Sequence, residues 1–264
     1  MKKIGLVDYY ISEWHANHYP AWIKELDRGY EVAYAWAEEE VSPVDGVTTG
    51  EWCEKMGITR CATLQELCTV CDNVIILAPS NPEKHYEYAK AVLPFGKPTY
   101  IDKTFAPDLK TAKAMFGLGG APFFSTSALR YAAELREFAE AQNLTLTGGG
   151  RSFEEYSVHL VEMAVVLLRQ PVKSVEVKTV GGHKFCFITG QKGRTVNLVY
   201  APGMGYSVSA LQEGKERQLA VNSDFFKALM AEILNFFESG KPPVAECETL
   251  EVMALRDRLM EAEA

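Results

Sequence analysis

One stretch constrains the fold more than any other, and it runs from Asp72 to Ala106. Its residues 73–78 form a nearly unbroken apolar run, which is typical of a parallel strand buried on both faces. Two prolines in residues 79–82 end that strand, residues 83–93 predict a helix, and residues 99–101 predict the next strand. Residues 102–104 then follow the carboxyl end of the second strand, which is the edge of an open α/β sheet where ligands bind.

The chain divides into two parts that differ in their pattern of apolar residues. Residues 1–122 alternate short apolar strands with helices, which favours a doubly wound parallel sheet. Residues 123–264 instead carry short alternating strands separated by glycine-containing turns, which favours an antiparallel sheet with one covered face. We therefore predict an α/β Rossmann-like doubly wound parallel sheet in residues 1–122. An α+β domain with a mainly antiparallel open sheet follows in residues 123–264, and its C-terminal helices can pack back on the first domain.

Length, charge and hydropathy exclude several classes of protein. A chain of 264 residues with 47% hydrophobic content can bury a sizeable core. Its net charge of -8 argues against a nucleic-acid partner, which needs clustered Lys and Arg. No apolar run approaches the roughly 20 residues that span a bilayer, and the apolar part of residues 1–8 is too short for a signal peptide. We expect a cytoplasmic protein that binds neither nucleic acid nor membrane.

Six cysteines in this context indicate reduced thiols rather than disulfides. Cys68 and Cys71 have C-x-x-C spacing, and a zinc site would need that pair with two further ligands. The alternative places both as small buried residues in the loop before the strand at residues 73–78. We assign no metal.

The turn between the first predicted strand and the first predicted helix is crowded and acidic. Residues 8–13 read DYYISE, whereas a dinucleotide-binding turn has glycines that let the pyrophosphate approach the backbone at a helix N-terminus. Two tyrosines and two carboxylates stand where those glycines would be. By itself, this turn is expected to repel a pyrophosphate.

The central stretch places Ala78-Pro79-Ser80, His85, Gly96-Lys97-Pro98 and Asp102-Lys103-Thr104 around its two strands. This pattern resembles the Gfo/Idh/MocA oxidoreductases. That family shows a strand, A/T-P-S/N, a His, G-K-P, a second strand and E-K-P. The match is close at G-K-P and altered at the end, where Asp replaces Glu and Thr replaces Pro. The segment from Ser127 to Tyr131 also resembles the S-x-x-R-Y/F segment that opens the second domain of the family. The resemblance covers most of a chain that is shorter than typical members and lacks the G-x-G-x-x-G glycines.

The resemblance implies an NAD- or NADP-dependent oxidoreductase that acts on a CH–OH group of a sugar, cyclitol or related polyol. It also implies a homodimer or homotetramer that associates through the open face of the second sheet. Lys103 and His159 would take part in proton transfer. The missing glycines leave an alternative open, in which a cofactor-independent chain serves as a sugar-binding regulator, a partner subunit or a non-redox enzyme.

The helix predicted over residues 154–168 carries the main acid–base candidates. Tyr156, His159 and Glu162 are three residues apart, so they can share one face. An imidazole suits proton transfer near neutral pH, and a carboxylate such as Glu155 or Glu162 can orient it. The alternative for His159 is a satisfied core histidine, and the alternative for Lys103 is an ion pair with Asp102. The catalytic candidates are Lys103, His159, Glu155 and Glu162.

The binding candidates lie around the predicted sheet edge and at the opening of the second domain. Those for the cofactor are Asp8, Tyr10, Ile11, Ser12, Trp36, Ala78, Pro79, Ser80, His85 and Asp102. Those for the substrate are His15, Arg130 and Tyr156. His15 could instead be satisfied by a nearby carbonyl, and Arg130 could pair with a carboxylate such as Glu134. The acids at 38–40 could supply a ribose ligand or form a solvated loop.

Overall fold

The computed structural model describes residues 1–262, and it contains two compact units. The first takes Met1–Thr126 and Leu229–Glu246, and the second takes residues 127–228 and 247–262. No helix of the described residues is both long and apolar enough to cross a membrane.

A six-stranded, all-parallel sheet organises the first unit. Its strands are β1 Lys2–Asp8, β2 Tyr30–Ala37, β3 Thr59–Arg60, β4 Asn73–Ile76, β5 Thr99–Ile101 and β6 Phe123–Ser125. Their order is β3-β2-β1-β4-β5-β6, which confirms the predicted doubly wound parallel sheet. The chain direction across the sheet reverses between β1 and β4, and such a switch point leaves a crevice at the carboxyl ends of the strands.

Five helices lie between the strands of this sheet along the chain, and side chains cap the starts of four of them. They are α1 Trp14–Glu25, α2 Thr49–Met56, α3 Leu64–Val70, α4 His85–Val92 and α5 Leu109–Phe116, with 310 turns at Pro82–Lys84 and Leu93–Phe95. Thr48 and Glu51 form a reciprocal capping box at α2. Thr63 caps α3 and Asp108 caps α5, so orphan N–H groups of the first turn find acceptors.

Cys68 and Cys71 are small buried residues in the first unit. Cys68 lies within α3 rather than in a loop, and Cys71 follows the end of that helix. Burial raises the pKa of the Cys68 thiol to about 11 and that of Cys71 to about 12. Both thiols are therefore protonated at neutral pH, which disfavours nucleophilic or metal-binding roles. Across residues 1–262, no group of three His, Cys, Asp or Glu side chains is placed to hold a metal.

A mixed six-stranded sheet organises the second unit. Its strands are β7 Asn143–Gly148, β8 Val172–Val180, β9 His183–Gly190, β10 Thr195–Tyr200, β11 Ser207–Gln212 and β12 Lys215–Ala220. The order is β12-β11-β7-β10-β9-β8, and every pair is antiparallel except β7 with β10. The predicted mainly antiparallel sheet is thus confirmed. Helices α6 Phe153–Leu168 and α8 Glu246–Glu261 accompany this sheet, with 310 segments at Ala128–Tyr131 and Ala133–Phe138, whereas most of α7 Phe225–Ser239 belongs to the first unit.

Helix α6 forms the centre of the second unit's core. Ser152 caps it by accepting a hydrogen bond from the backbone N–H of Glu155, and the left-handed residue Arg169 ends it. Its apolar residues share one cluster with inward-facing residues of the sheet and with α8; the cluster includes Leu144, Leu146, Val158, Leu160, Val161, Val196, Leu198, Val252 and Leu255. This burial fixes the orientation of α6 and of its buried side chains.

The apolar spacing of residues 132–142 predicts an α-helix, and this prediction is wrong, because the chain forms a 310 segment at Ala133–Phe138 instead. Leu135 and Phe138 are both buried and three residues apart, and the 310 helix aligns residues at that spacing. Glu134 meanwhile accepts hydrogen bonds from the backbone N–H groups of Asn222 and Ser223. Amphipathic spacing alone did not separate this geometry from an α-helix.

The three glycines at 148–150 mark a close approach of neighbouring groups. A Cβ on Gly148 would come within 2.5 Å of the Tyr206 ring, and a Cβ on Gly149 would collide with the carbonyl oxygen of Ala201. Only a residue without a side chain fits these positions.

Candidate functional sites

A group of buried polar side chains lies where β1 and β5 end, and we call it the carboxylate cluster. Its members are Asp8, Glu13, His15, Tyr19, Tyr100 and Asp102, all buried. Asp8 is the last residue of β1, and Asp102 follows the last residue of β5. The parallel sheet brings both to its carboxyl edge, and α1 with the turn before it supplies Glu13, His15 and Tyr19.

Glu13 holds the N-terminus of α1. Its carboxylate accepts hydrogen bonds from the backbone N–H of His15 at 2.8 Å and from that of Ala16 at 2.5 Å. These are N–H groups that a helix leaves without an internal partner. The chain therefore satisfies the positive end of α1 with its own buried negative charge.

His15 lies between two carboxylates rather than beside a carbonyl. Its Nδ1 is 3.3 Å from Glu13 Oε2 and 3.5 Å from Asp102 Oδ2. The other oxygen of Asp102 accepts hydrogen bonds from the hydroxyls of Tyr100 at 3.0 Å and Tyr19 at 3.3 Å. The two tyrosine hydroxyls fix Asp102, whereas His15 Nδ1 makes no hydrogen bond within residues 1–262.

Asp8 is the most strongly perturbed acid of the cluster. One oxygen accepts from the backbone N–H of Tyr9 at 2.7 Å and from that of Ala78 at 3.0 Å. The other oxygen is buried and has no hydrogen-bond partner among residues 1–262. Burial first, and then the charge of Glu13, raise the pKa of Asp8 well above its usual range.

We expect Asp8→Asn to increase the free energy of unfolding at neutral pH and to have less effect near pH 4. An Asp whose pKa is raised by folding binds its proton more tightly in the folded state. Stability is therefore lost as the pH rises from the unfolded pKa, about 3.9, towards the folded pKa. The amide keeps an acceptor oxygen for Tyr9 and Ala78 and carries no charge. Urea unfolding at several pH values measures the difference, with the exposed Asp27→Asn as control; a pH-independent difference would contradict the assignment.

Lys103 follows Asp102 at the same edge of the sheet. It is half-buried, and its Nζ donates to the carbonyl oxygen of Pro79 at 3.4 Å. Asp102 instead accepts from the two tyrosine hydroxyls. Lys103 therefore lies at the edge of an open α/β sheet where ligands bind.

The other cofactor-binding candidates of the turn after β1 have internal partners. Ile11 is buried, and the hydroxyl of Ser12 donates to Asp45 at 2.7 Å. The hydroxyl of Ser42 donates to the carbonyl oxygen of Ser12 at 3.0 Å, and Tyr10 is half-buried. The loop that contains Ser42 and Asp45 thus fixes the turn.

The candidates from the central stretch divide between surface and core. Ser80 is exposed and Pro79 half-buried, whereas Ala78 is buried with a positive φ of 54°. His85 is wholly buried, and its ring nitrogens lie 2.5 Å from the carbonyl oxygen of Leu77 and 3.1 Å from that of Phe105. Burial lowers the pKa of His85, and its neutral ring can donate to only one of these two carbonyl oxygens.

The acids after β2 are exposed, and two of them form ion pairs. Glu38 accepts from Lys84 at 2.5 Å and from the hydroxyl of Tyr88 at 2.7 Å, and Glu40 pairs with Arg60. Trp36, at the end of β2, packs edge-on against Tyr88 with ring centroids 5.8 Å apart. A ribose ligand would have to compete with these contacts.

A second group of polar residues surrounds His159 on α6, and we call it the histidine cluster. Its members are Ser127, Arg130, Tyr156, His159 and Glu162. The hydroxyl oxygen of Ser127 lies 2.7 Å from His159 Nδ1, and the rings of Tyr156 and Tyr206 lie 5.8 Å and 6.0 Å from the imidazole. His159 is half-buried, and this setting orients its ring.

Glu162 holds two other members of the histidine cluster, Ser127 and Arg130, by hydrogen bonds. One oxygen accepts from the backbone N–H of Ser127 at 3.1 Å, and the other accepts from Arg130 Nε at 2.8 Å. Arg130 also reaches Glu248 at 3.4 Å, so it pairs with carboxylates other than Glu134. Glu162 therefore holds the segment whose hydroxyl orients His159.

Glu155 occupies the exposed beginning of α6. Its carboxylate pairs with Arg151 at 2.6 Å, one turn earlier in the chain. This contact lies on the solvent side of the helix, since the Arg151 side chain is 70% exposed. Of the acids predicted on α6, Glu162 is the buried one.

Sequence reasoning missed four residues of the two clusters as site residues: Glu13, Tyr19, Tyr100 and Ser127. Ser127 was visible as the first residue of the S-x-x-R segment, directly before a 310 turn that it caps. Glu13 was visible as an acid directly before a helix. Tyr19 and Tyr100 carried no such signal, because neither belongs to a motif that indicates a site.

The turn after β1 does not fit the pyrophosphate of a dinucleotide in the manner of a glycine-rich turn. The N–H groups of His15 and Ala16 are bonded to Glu13, and Asp8 adds a second buried acid. A phosphate placed there would meet negative charge instead of free donors.

No protein-family model and no curated protein sequence matches this chain. Solved structures do match it in fold. A dehydrogenase (MviM) of Clostridium difficile gives a TM-score of 0.79 at 14% identity, with 99% of each chain covered. The UDP-N-acetylglucosamine 3-dehydrogenase GnnA of Acidithiobacillus ferrooxidans gives 0.78 at 13% identity, covering 98% of this chain and 97% of that one.

A third match is the myo-inositol dehydrogenase of Lactobacillus casei, solved in complex with NAD(H) and myo-inositol. Its TM-score is 0.80 at 11% identity, with 99% of this chain and 94% of that chain covered. Identities this low establish the fold and leave the reaction open. The resemblance stated from the sequence is confirmed at this level: the chain has the fold of the Gfo/Idh/MocA-type dehydrogenases.

Proposed function

We propose that this chain is an enzyme that acts on a sugar, cyclitol or related polyol, with Lys103 and His159 as its proton-transfer groups. The observation that carries the proposal is the oriented imidazole of His159, whose Nδ1 lies 2.7 Å from the Ser127 hydroxyl. An imidazole held in one orientation can take a proton from a substrate hydroxyl or return it. A lysine ammonium such as that of Lys103 can stabilise a developing oxyanion or supply its proton.

The first candidate reaction is oxidation of a CH–OH group by NAD or NADP. The strand order with its switch point and the names of the structural neighbours support this candidate. Those neighbours include dehydrogenases named for myo-inositol and UDP-N-acetylglucosamine, which define the substrates to try first. The turn after β1 opposes it, so we derive no step that passes through a dinucleotide.

The second candidate is a cofactor-independent enzyme or sugar-binding protein with the same fold, and the Glu13 cap specifically favours it. A non-redox enzyme would use the same two groups to remove and return a proton next to a carbonyl. That reaction needs a base and a stabilised enolate, and it needs no hydride acceptor.

Proton NMR in D2O separates the two candidates. The protein is incubated with myo-inositol, UDP-N-acetylglucosamine, and the corresponding keto compounds, each with and without NAD or NADP. Conversion that requires a dinucleotide supports the oxidoreductase, and deuterium incorporation without one supports the non-redox enzyme. Native mass spectrometry of the purified protein reports any retained cofactor. A wider panel of polyols and ketoses that shows neither conversion nor exchange would refute the proposed enzyme.

We also propose a homodimer or homotetramer that forms through the open face of the second sheet. Phe187 on β9 and Leu211 on β11 are large apolar side chains with 42% and 70% of their surface exposed. Light scattering at micromolar concentration tests this assembly. A cytoplasmic location stays a prediction from the sequence.

A further inference from the structure

We infer that the Glu13 carboxylate is an internal occupant of the anion position at the N-terminus of α1, and that it competes there with any phosphate-bearing ligand. Helix N-termini attract anions because free N–H groups and the helix dipole point outwards. In this chain those donors are already used by a side chain that is only 8% exposed. The anion position at the N-terminus of α1 therefore exists in this chain, and the Glu13 carboxylate fills it.

The geometry of the two hydrogen bonds to Glu13 shows why its carboxylate can take the place of a phosphate. Both oxygens of Glu13 are engaged, Oε2 by the N–H of His15 and Oε1 by the N–H of Ala16. A bidentate carboxylate at this place imitates two oxygens of a phosphate. Since Glu13 belongs to the chain itself, its effective concentration far exceeds that of a free ligand.

The surroundings oppose exchange of Glu13 for an external phosphate. The turn is fixed by the hydrogen bonds from Ser12 to Asp45 and from Ser42 to the Ser12 carbonyl. Asp8 and Asp102 place two further buried carboxyls in the same cluster. A phosphate would therefore have to displace the Glu13 carboxylate and enter a buried site that already holds these acidic side chains.

Removal of Glu13 should therefore create affinity for phosphate. The first measurement is the melting temperature of wild type and Glu13→Ala in inorganic phosphate and in chloride of equal ionic strength. We expect Glu13→Ala to melt about 2–4 °C lower in chloride, because a helix cap is lost. Phosphate should restore part of that loss in the variant and should not stabilise the wild type beyond chloride.

Asp108→Ala is the matched control, because Asp108 caps α5 through the N–H of Thr111 in an exposed setting. It should lose stability in the same manner without specific recovery in phosphate. Glu13→Gln keeps an acceptor oxygen and removes the charge, so it carries the test if Glu13→Ala does not fold.

The second measurement is calorimetric titration with NADH and NADPH. We expect Glu13→Ala or Glu13→Gln to bind at least about tenfold more tightly than wild type, a factor that corresponds to about 1.4 kcal/mol. Equal affinity in wild type and variants, or equal stabilisation of both by phosphate, would overturn the inference. Neither measurement uses a sugar substrate, Lys103 or His159, so its failure is distinct from failure of the proposed function.

Discussion

Replacing His159 with glutamine is expected to lower turnover of the substrate by about 100- to 10,000-fold, the usual contribution of a positioned acid–base group. Glutamine preserves polarity and approximate size, so α6 should keep its packing in the second unit's core. The loss would therefore fall on the proton-transfer step. The measurement is the steady-state rate on the compound that shows conversion or exchange by NMR.

The matched control for this variant is His183→Gln, because His183 is exposed on β9. It should leave both turnover and stability unchanged. Ser127→Ala provides an intermediate case, since it removes the hydroxyl that lies 2.7 Å from His159 Nδ1 and keeps the imidazole. We expect it to lower turnover less than His159→Gln and to shift the pH profile of the rate. Unchanged turnover in His159→Gln would take His159 out of the mechanism.

Lys103→Ala is expected to cause a loss of the same order, about 100- to 10,000-fold. Lys103→Arg should not rescue it, because a guanidinium remains protonated and cannot exchange a proton near neutral pH. Lys110→Ala, on the exposed side of α5, is the control. If Lys103 and His159 act in one step, the double variant should lose little more than either single variant. Multiplicative losses would assign them to independent steps.

Apolar periodicity located most of the architecture because buried strands must be apolar. Residues 73–78 and 99–101 predicted β4 and β5. The position of Lys103 past β5 followed from this pattern together with the rule that ligands bind at the carboxyl edge. A one-dimensional pattern of apolar residues suffices where an element forms mainly because it buries apolar surface.

Contacts between distant polar residues could not be predicted in the same manner. Ser127 and His159 are separated by 32 residues, and Tyr19 and Asp102 by 83. Such pairs depend on the register of packed elements, to which the local sequence gives no access. The acidic turn shows the same limit at short range: the sequence revealed Glu13 and its charge, whereas only the structure shows its carboxylate folded back on α1.

These two kinds of information lead to different views of the function. The chain shares its fold with dehydrogenases of known structure. The Glu13 cap and the raised pKa of Asp8 describe a sheet edge organised around its own acids. The proposed roles of Lys103 and His159 are common to both views, and the dinucleotide separates them. Titration of the Glu13 variants therefore bears on the choice of reaction.

Loss of the buried ion pair between Arg130 and Glu162 should have the largest effect on stability. We expect Glu162→Leu to lower the free energy of unfolding by about 3–5 kcal/mol, because Arg130 would stay buried without its main carboxylate. The Arg130 and Glu162 side chains are only 9% and 5% exposed, and Arg130 Nε lies 2.8 Å from Glu162. Burial opposes the charge on Arg130, yet Glu162 and Glu248 raise its pKa, so the guanidinium stays charged.

Urea unfolding of Glu162→Leu, Arg130→Met and the double variant separates pairing from packing. Each single variant leaves one buried charge, whereas the double variant replaces both with apolar groups of similar volume. We therefore expect the double variant to recover most of the lost stability. Glu140→Gln, which breaks the exposed pair with Arg169, should change stability by less than about 1 kcal/mol. Additive losses in the double variant would contradict the buried pair. Recovered stability with low turnover would show that Glu162 also positions Ser127, and through it the imidazole of His159.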